Sequence, residues 1–131
     1  MNERTGILLL GHGSTRPHNK ELVEKVAEMI ADQKNVLVKI AFLNMDKPDL
    51  KGGLESFKGT DVERIVALPL FLAHGVHTLE DIPEELNLGN GRKTVVNIDG
   101  RSVEVLYAEP LGADPRIAEI AYDKAEEALA R

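Results

Sequence analysis

The sequence contains no cysteine and no tryptophan. Disulfides, thiolate metal centres and thiol nucleophiles are therefore excluded, and the redox compartment is left open. Aromatic residues make up only 4% of the chain, so aliphatic side chains must fill the core. Basic residues are in deficit, 16 against 22 acidic, for a formal charge of -6. A general nucleic-acid binder, which works by neutralising phosphates, is not expected from that balance. Long apolar runs are also missing near the start: Ile7 to Leu10 is too short for a signal-peptide core or a membrane span. No membrane association is expected, and the composition reads as a cytoplasmic protein. Neither G-x-G-x-x-G nor the lysine spacing of a P-loop occurs, which leaves nucleotide binding by those routes without support.

What is present suits one ordered domain covering residues 1–131, with 43% hydrophobic and 29% charged residues. Gly6 to Leu10 reads as a buried strand that exits into Gly11-His12-Gly13-Ser14. From Asn19, a candidate N-cap, to about Gln33, the apolar residues Leu22, Val23, Val26, Met29 and Ile30 recur at helical spacing. Val36 to Leu43 is a second strand, followed by a loop and a short helix bearing Leu50, Leu54 and Phe57, with Gly59 as its stop. The third strand begins near Arg64 and is apolar on both faces, as a central strand covered from both sides would be. Thr78 is placed to cap a helix running to about Leu86, in which Pro83 would cost one hydrogen bond. Lys93 to Ile98 and Ser102 to Tyr107 flank the hairpin signal Asp99-Gly100, and Asp114 and Pro115 open a final helix.

Strands alternating with helices imply parallel pairing with right-handed crossovers. The expected fold is a three-layer flavodoxin-like α/β domain, with a mainly parallel four-stranded sheet in the order 2-1-3-4 and a β-hairpin insert. In that order the loops after strands one and three face each other where the winding reverses, the usual ligand crevice of such sheets. All four histidines, His12, His18, His74 and His77, lie in those two loops. Imidazole is a common ligand for zinc, nickel and cobalt, and it also exchanges protons near neutral pH. With no thiolate and few carboxylates nearby, a metal there would be under-ligated, which suits transient delivery better than structural binding. A phosphate-cradling turn at Gly11 to Ser14 is the competing reading of the first loop.

Gly11-His12-Gly13-Ser14, Pro69-Leu70-Phe71-Leu72-Ala73-His74-Gly75-Val76-His77, Asp81-Ile82-Pro83 and Glu109-Pro110-Leu111-Gly112-Ala113-Asp114 occur in this order along the whole chain. Together they resemble the short archaeal class II chelatases, the CbiX-type enzymes that insert cobalt or nickel into sirohydrochlorin for cobalamin or methanogenesis cofactors. The resemblance implies that His12 and His77 hold the metal and that His12 accepts a pyrrole proton. It also implies that Leu72, Ala73, His74, Gly75, Val76 and His77 form a wall against the macrocycle. Co²⁺ or Ni²⁺ would be a substrate, no cofactor would be permanently bound, and the protein would be a homodimer. Where the family carries Phe-Leu-Glu followed by Glu-Pro, this chain has Phe42-Leu43-Asn44 and Lys47-Pro48. Asn44 retains hydrogen bonding to substrate but cannot take a proton. Because sirohydrochlorin is a polycarboxylate, a locally basic rim is expected from Arg16, Lys20, Lys47 and Lys51, with Ser14 beside it. A sirohydrochlorin ferrochelatase and a non-catalytic carrier of metal or tetrapyrrole are the alternatives.

Overall fold

The computed structural model describes residues 4–130. Five strands form one sheet: β1 (Thr5–Gly11), β2 (Leu37–Phe42), β3 (Arg64–Pro69), β4 (Lys93–Ile98) and β5 (Arg101–Tyr107), in the order β2-β1-β3-β5-β4. All pairs are parallel except β4 with β5. The four expected strands are thus β2, β1, β3 and β5. The first arm of the hairpin is not a separate insert, since it extends the same sheet as an antiparallel edge. Its alternation explains this placement: Val96 pairs with the buried Val103, whereas Val95 on the opposite face is 64% exposed.

β1 is buried at every residue because both of its faces are covered. Leu8 and Leu10 pack with Ala41, Phe57, Ile65 and Ile82 on one face, and Leu9 packs with Val23, Ala27 and Phe42 on the other. Full burial of a leucine contributes roughly 1.5–3 kcal/mol, so these alternating leucines anchor both outer layers. Val23 and Ala27 belong to α1 (His18–Lys34), which covers one face, while α2 (Leu50–Glu55) and α3 (Ile82–Glu85) lie on the other. Asp49 caps α2 by accepting the Gly52 N–H. The residue preceding α1 is Pro17, not Asn19, whose side chain instead accepts the Gly13 N–H in the loop before it.

α4 (Pro115–Ala130) has no buried residue, and Ile120, Tyr122 and Leu129 are 56%, 65% and 86% exposed. Asp114 starts it as expected, accepting the Arg116 N–H and forming two further bonds with the Arg116 guanidinium. Those contacts hold the Asp114 carboxyl well below the usual carboxylate range. Val66, Leu68 and Leu106, on the sheet face that α1 covers only in part, remain half-buried.

No helix among the described residues is long and apolar enough to cross a membrane.

Candidate functional site

The parallel register ends β1, β2 and β3 at one level, with Gly11 paired to Phe42 and Leu10 to Pro69. Pairing then continues into the loops. The Leu43 N–H donates to the Gly11 carbonyl at 3.1 Å, Asn44 N–H to His12 carbonyl at 3.0 Å, and Leu70 N–H to Leu10 carbonyl at 2.9 Å. The loop after β1 is therefore held from the β2 side, and the end of β1 itself from the β3 side, at the point where the winding reverses. Gly13 is required there: its φ is 82°, and a Cβ would overlap the Asn44 carbonyl oxygen.

This grip leaves the His12 ring stacked on the buried Phe71, with centroids 3.9 Å apart and planes 20° from parallel. The His77 ring meets it edge-on at 5.4 Å and 69°. The two histidines singled out in the sequence are thus brought together. Desolvation, and secondarily the neighbouring His77, lower the His12 pKa from its ordinary value, so His12 stands neutral at pH 7 with a lone pair available as base or ligand.

His77 opens a five-residue π-helical turn, His77–Asp81, that runs directly into α3, and the Ile82 N–H closes it on the His77 carbonyl. Such turns concentrate at functional sites because the extra residue re-aims side chains. Here Asp81 Oδ2 lies 2.7 Å from His77 Nδ1. A carboxylate only accepts, so Nδ1 carries a hydrogen, and in the neutral ring the lone pair is the one on Nε2. Thr78 is not an N-cap, since it is buried within the first turn, with its Oγ1 accepting the Gly75 N–H at 2.8 Å. Pro83 costs no unmet bond: the Thr78 carbonyl, which a residue with an N–H at that point would serve, accepts from Tyr107 Oη at 2.8 Å. Burial pushes the Tyr107 hydroxyl pKa up to about 12, so it remains a donor throughout the physiological range.

His74 does not join the other two. Its Nδ1 is 3.0 Å from Thr78 Oγ1 and its Nε2 is 2.5 Å from Glu109, which Arg92 also engages at 3.0 Å. It lines a cavity of about 350 Å³ together with Arg92 and Tyr107, away from the one bordered by His77. The sequence places His74 in the expected substrate wall, and its hydrogen bonds tie the loop after β3 to the end of β5. Leu72, Ala73, Gly75 and Val76 are exposed, Leu72 and Val76 at 61% and 63%. His18 lies at the exposed start of α1.

Asn44 and His77 share a cavity of about 360 Å³ with Leu43, Asp81, Glu84 and Glu85. The wall beside His77 is therefore acidic, while Lys51, one of the expected rim residues, lines an adjoining cavity that shares Leu43 and Glu85. Lys47 lies in the loop beyond, 82% exposed at its side chain and 3.9 Å from Asp49, and Arg16 is likewise exposed. Ser14 has its N–H on Asp46 Oδ2 and its Oγ accepting from the Arg16 N–H, and the Gly13 N–H is taken by Asn19. Those engaged donors remove the basis for a phosphate cradle. Among the described residues no three histidine, aspartate or glutamate side chains are grouped to hold a metal ion. Phe71, Asp46 and the pairing of Asp81 with His77 were not singled out from sequence. Of these, only the i, i+4 spacing of His77 and Asp81 carried a legible signal.

An open, mostly parallel sheet with two imidazoles converging at its switch point defines a chelatase-like α/β protein. The sequence model described as CbiX matches residues 6–128. A sirohydrochlorin cobaltochelatase of Methanosarcina acetivorans is 44% identical over 130 residues, covering 98% of this chain and all of that protein. Among solved structures, a cobalamin biosynthesis CbiX protein from Marinobacter aquaeolei superposes with a TM-score of 0.70 at 29% identity, over 97% of this chain and 98% of that one. SirB from Bacillus subtilis with Fe³⁺ gives a TM-score of 0.75 at 26% identity, with 95% of this chain covering 47% of that one. The chain belongs to the CbiX family.

Proposed function

We propose that this protein is a sirohydrochlorin cobaltochelatase that inserts Co²⁺ into the macrocycle as two pyrrole N–H protons leave. The observation that carries the reading is the facing pair of His12 and His77 at the switch point, in a chain that matches named cobaltochelatases along its length. His77 presents Nε2 to the incoming metal because Asp81 occupies Nδ1. His12, neutral at pH 7 and steadied by Phe71, is the second metal-facing imidazole and the acceptor for a pyrrole proton. Two imidazoles hold a divalent ion weakly, and this favours its transfer to the four nitrogens of the macrocycle. Leu72 and Val76 offer apolar surface to the ring.

Ni²⁺ is the second metal of this reading, since imidazole accepts both ions. A cytoplasmic location accords with the absence of an apolar spanning helix among the described residues. The functional unit in this proposal is a homodimer. Ile117, Ile120, Ala121, Ala125 and Ala128 form an apolar stripe on α4 in which only Ile117 is even partly covered, and the strip of Val66, Leu68 and Leu106 is incompletely covered. Covering that strip with α4 of a second copy satisfies both surfaces. The match of one chain to about half of a longer chelatase supports the same arrangement.

One observation favours a carrier that binds without turnover: Asn44, at the cavity shared with His77, replaces a family glutamate and cannot take a proton. Anaerobic absorbance spectroscopy with sirohydrochlorin and Co²⁺, Ni²⁺ or Fe²⁺ separates the readings. Catalysed appearance of the cobalt-macrocycle spectrum, lost in His12→Ala and His77→Ala, is expected. A stable bound spectrum that forms no faster than in protein-free controls would establish the carrier instead.

A further inference from the structure

Asn44, Met45 and Asp46 form the tip of the loop that leaves β2. The Asp46 N–H donates to the Asn44 carbonyl at 2.6 Å, and Met45 between them has a φ of 62°. A hydrogen bond spanning two residues around a positive φ is a γ-turn of the rarer, strained hand. Glycine and asparagine adopt that conformation at least cost, whereas an unbranched apolar side chain gains nothing locally from it.

Two clamps prevent the turn from relaxing. The Asn44 N–H is held by the His12 carbonyl, and Asp46 Oδ2 is held by the Ser14 N–H at 3.0 Å. The strained tip is thus fastened on both sides to the loop that carries His12. Nor does Met45 repay the strain by burial, because it is 75% exposed. Backbone strain of this kind persists where the surrounding structure over-determines it, and it clusters at ligand clamps.

Sheet order supplies the ligand's position. β1 lies between β2 and β3, so the loop with Met45 flanks His12 on one side, and the loop with the exposed Leu72 and Val76 flanks it on the other. We propose that Met45 is a substrate-contacting residue, packing its thioether side chain on the flat conjugated macrocycle from the β2 side of the crevice. The polarizable, adaptable side chain of methionine suits an extended π-face. The proposal rests on the sirohydrochlorin reading and adds to it the reason for the strained turn.

The test compares wild-type protein with Met45→Asn and Met45→Leu for melting temperature, sedimentation, Co²⁺ affinity and affinity for metal-free sirohydrochlorin. Met45→Asn is expected to melt at or above the wild-type temperature, with unchanged Co²⁺ affinity and assembly, yet to bind sirohydrochlorin about fivefold or more weakly, the size expected for one lost apolar contact. Met45→Leu is expected to restore most of that affinity. Equal sirohydrochlorin affinity in Met45→Asn would overturn the proposal, as would a lower melting temperature. A change of oligomeric state confined to that variant would assign Met45 to a protein interface and overturn it too. Absence of saturable sirohydrochlorin binding by the wild-type protein would instead sink the functional reading itself, before any variant is compared.

Discussion

Asp81 decides which nitrogen His77 offers. Its carboxylate, 2.7 Å from Nδ1, fixes the tautomer and the ring orientation together. Outer partners of this kind typically contribute about 10–100-fold in metal affinity. Asp81→Ala is therefore expected to weaken Co²⁺ binding by about one to two orders of magnitude, read from the visible spectrum of the cobalt complex, with little change in melting temperature. Unchanged affinity in Asp81→Ala, beside a loss in His77→Ala, would show that the carboxylate is incidental. His12 and His77 are legible in the sequence because histidine is scarce and both sit where apolar runs stop. Phe71 is not, since a phenylalanine after a strand reads as ordinary core until its ring is seen under an imidazole.

At the scale of elements, the loops matter more than the helices. The loop after β1 is held by backbone bonds from Leu43 and Asn44, just beyond β2, and by the absence of a side chain at Gly13. Gly13→Ala combines a left-handed backbone with overlap of the Asn44 carbonyl. A loss of roughly 3 kcal/mol or more is expected, seen as a fall of about 10 °C in melting temperature with His12 function lost as well. A melting temperature within a degree of wild type would contradict the packing described. The segment from His77 to Glu85 shows where local reasoning stops. Its helical character is readable from Glu80 and Asp81, but its π turn depends on a tertiary contact. With no N–H at Pro83, the Thr78 carbonyl is served by Tyr107, a residue on another strand. His74 likewise reads as a site residue by its neighbours in sequence, but its partner Glu109, 35 positions away, is visible only in the fold.

For the whole molecule, two apolar surfaces left open among the described residues are α4 and the partly covered strip of Val66, Leu68 and Leu106. If a second copy joins them, Ile120→Glu places a charge in that contact. The expected result is a shift from dimer to monomer in sedimentation velocity at micromolar concentration, with the sheet and the His12 and His77 geometry retained. A wild-type protein that sediments as a monomer would refute the dimer outright, and an Ile120→Glu variant that remains dimeric would move the interface away from α4.

The sequence by itself determined the strand and helix order, the parallel pairing of β1, β2, β3 and β5, and the convergence of His12 with His77, because these follow from hydrophobic period, crossover handedness and where the glycines interrupt. Tertiary structure alone decided the fifth strand at the edge, the Nδ1 hydrogen of His77, the pairing of His74 with Glu109, and the acidic wall of Asp81, Glu84 and Glu85 beside His77. Each of those depends on which side chains meet across the sheet. Periodicity tells which face a residue occupies, but the partner that a polar group finds is set by chain segments far from it in sequence.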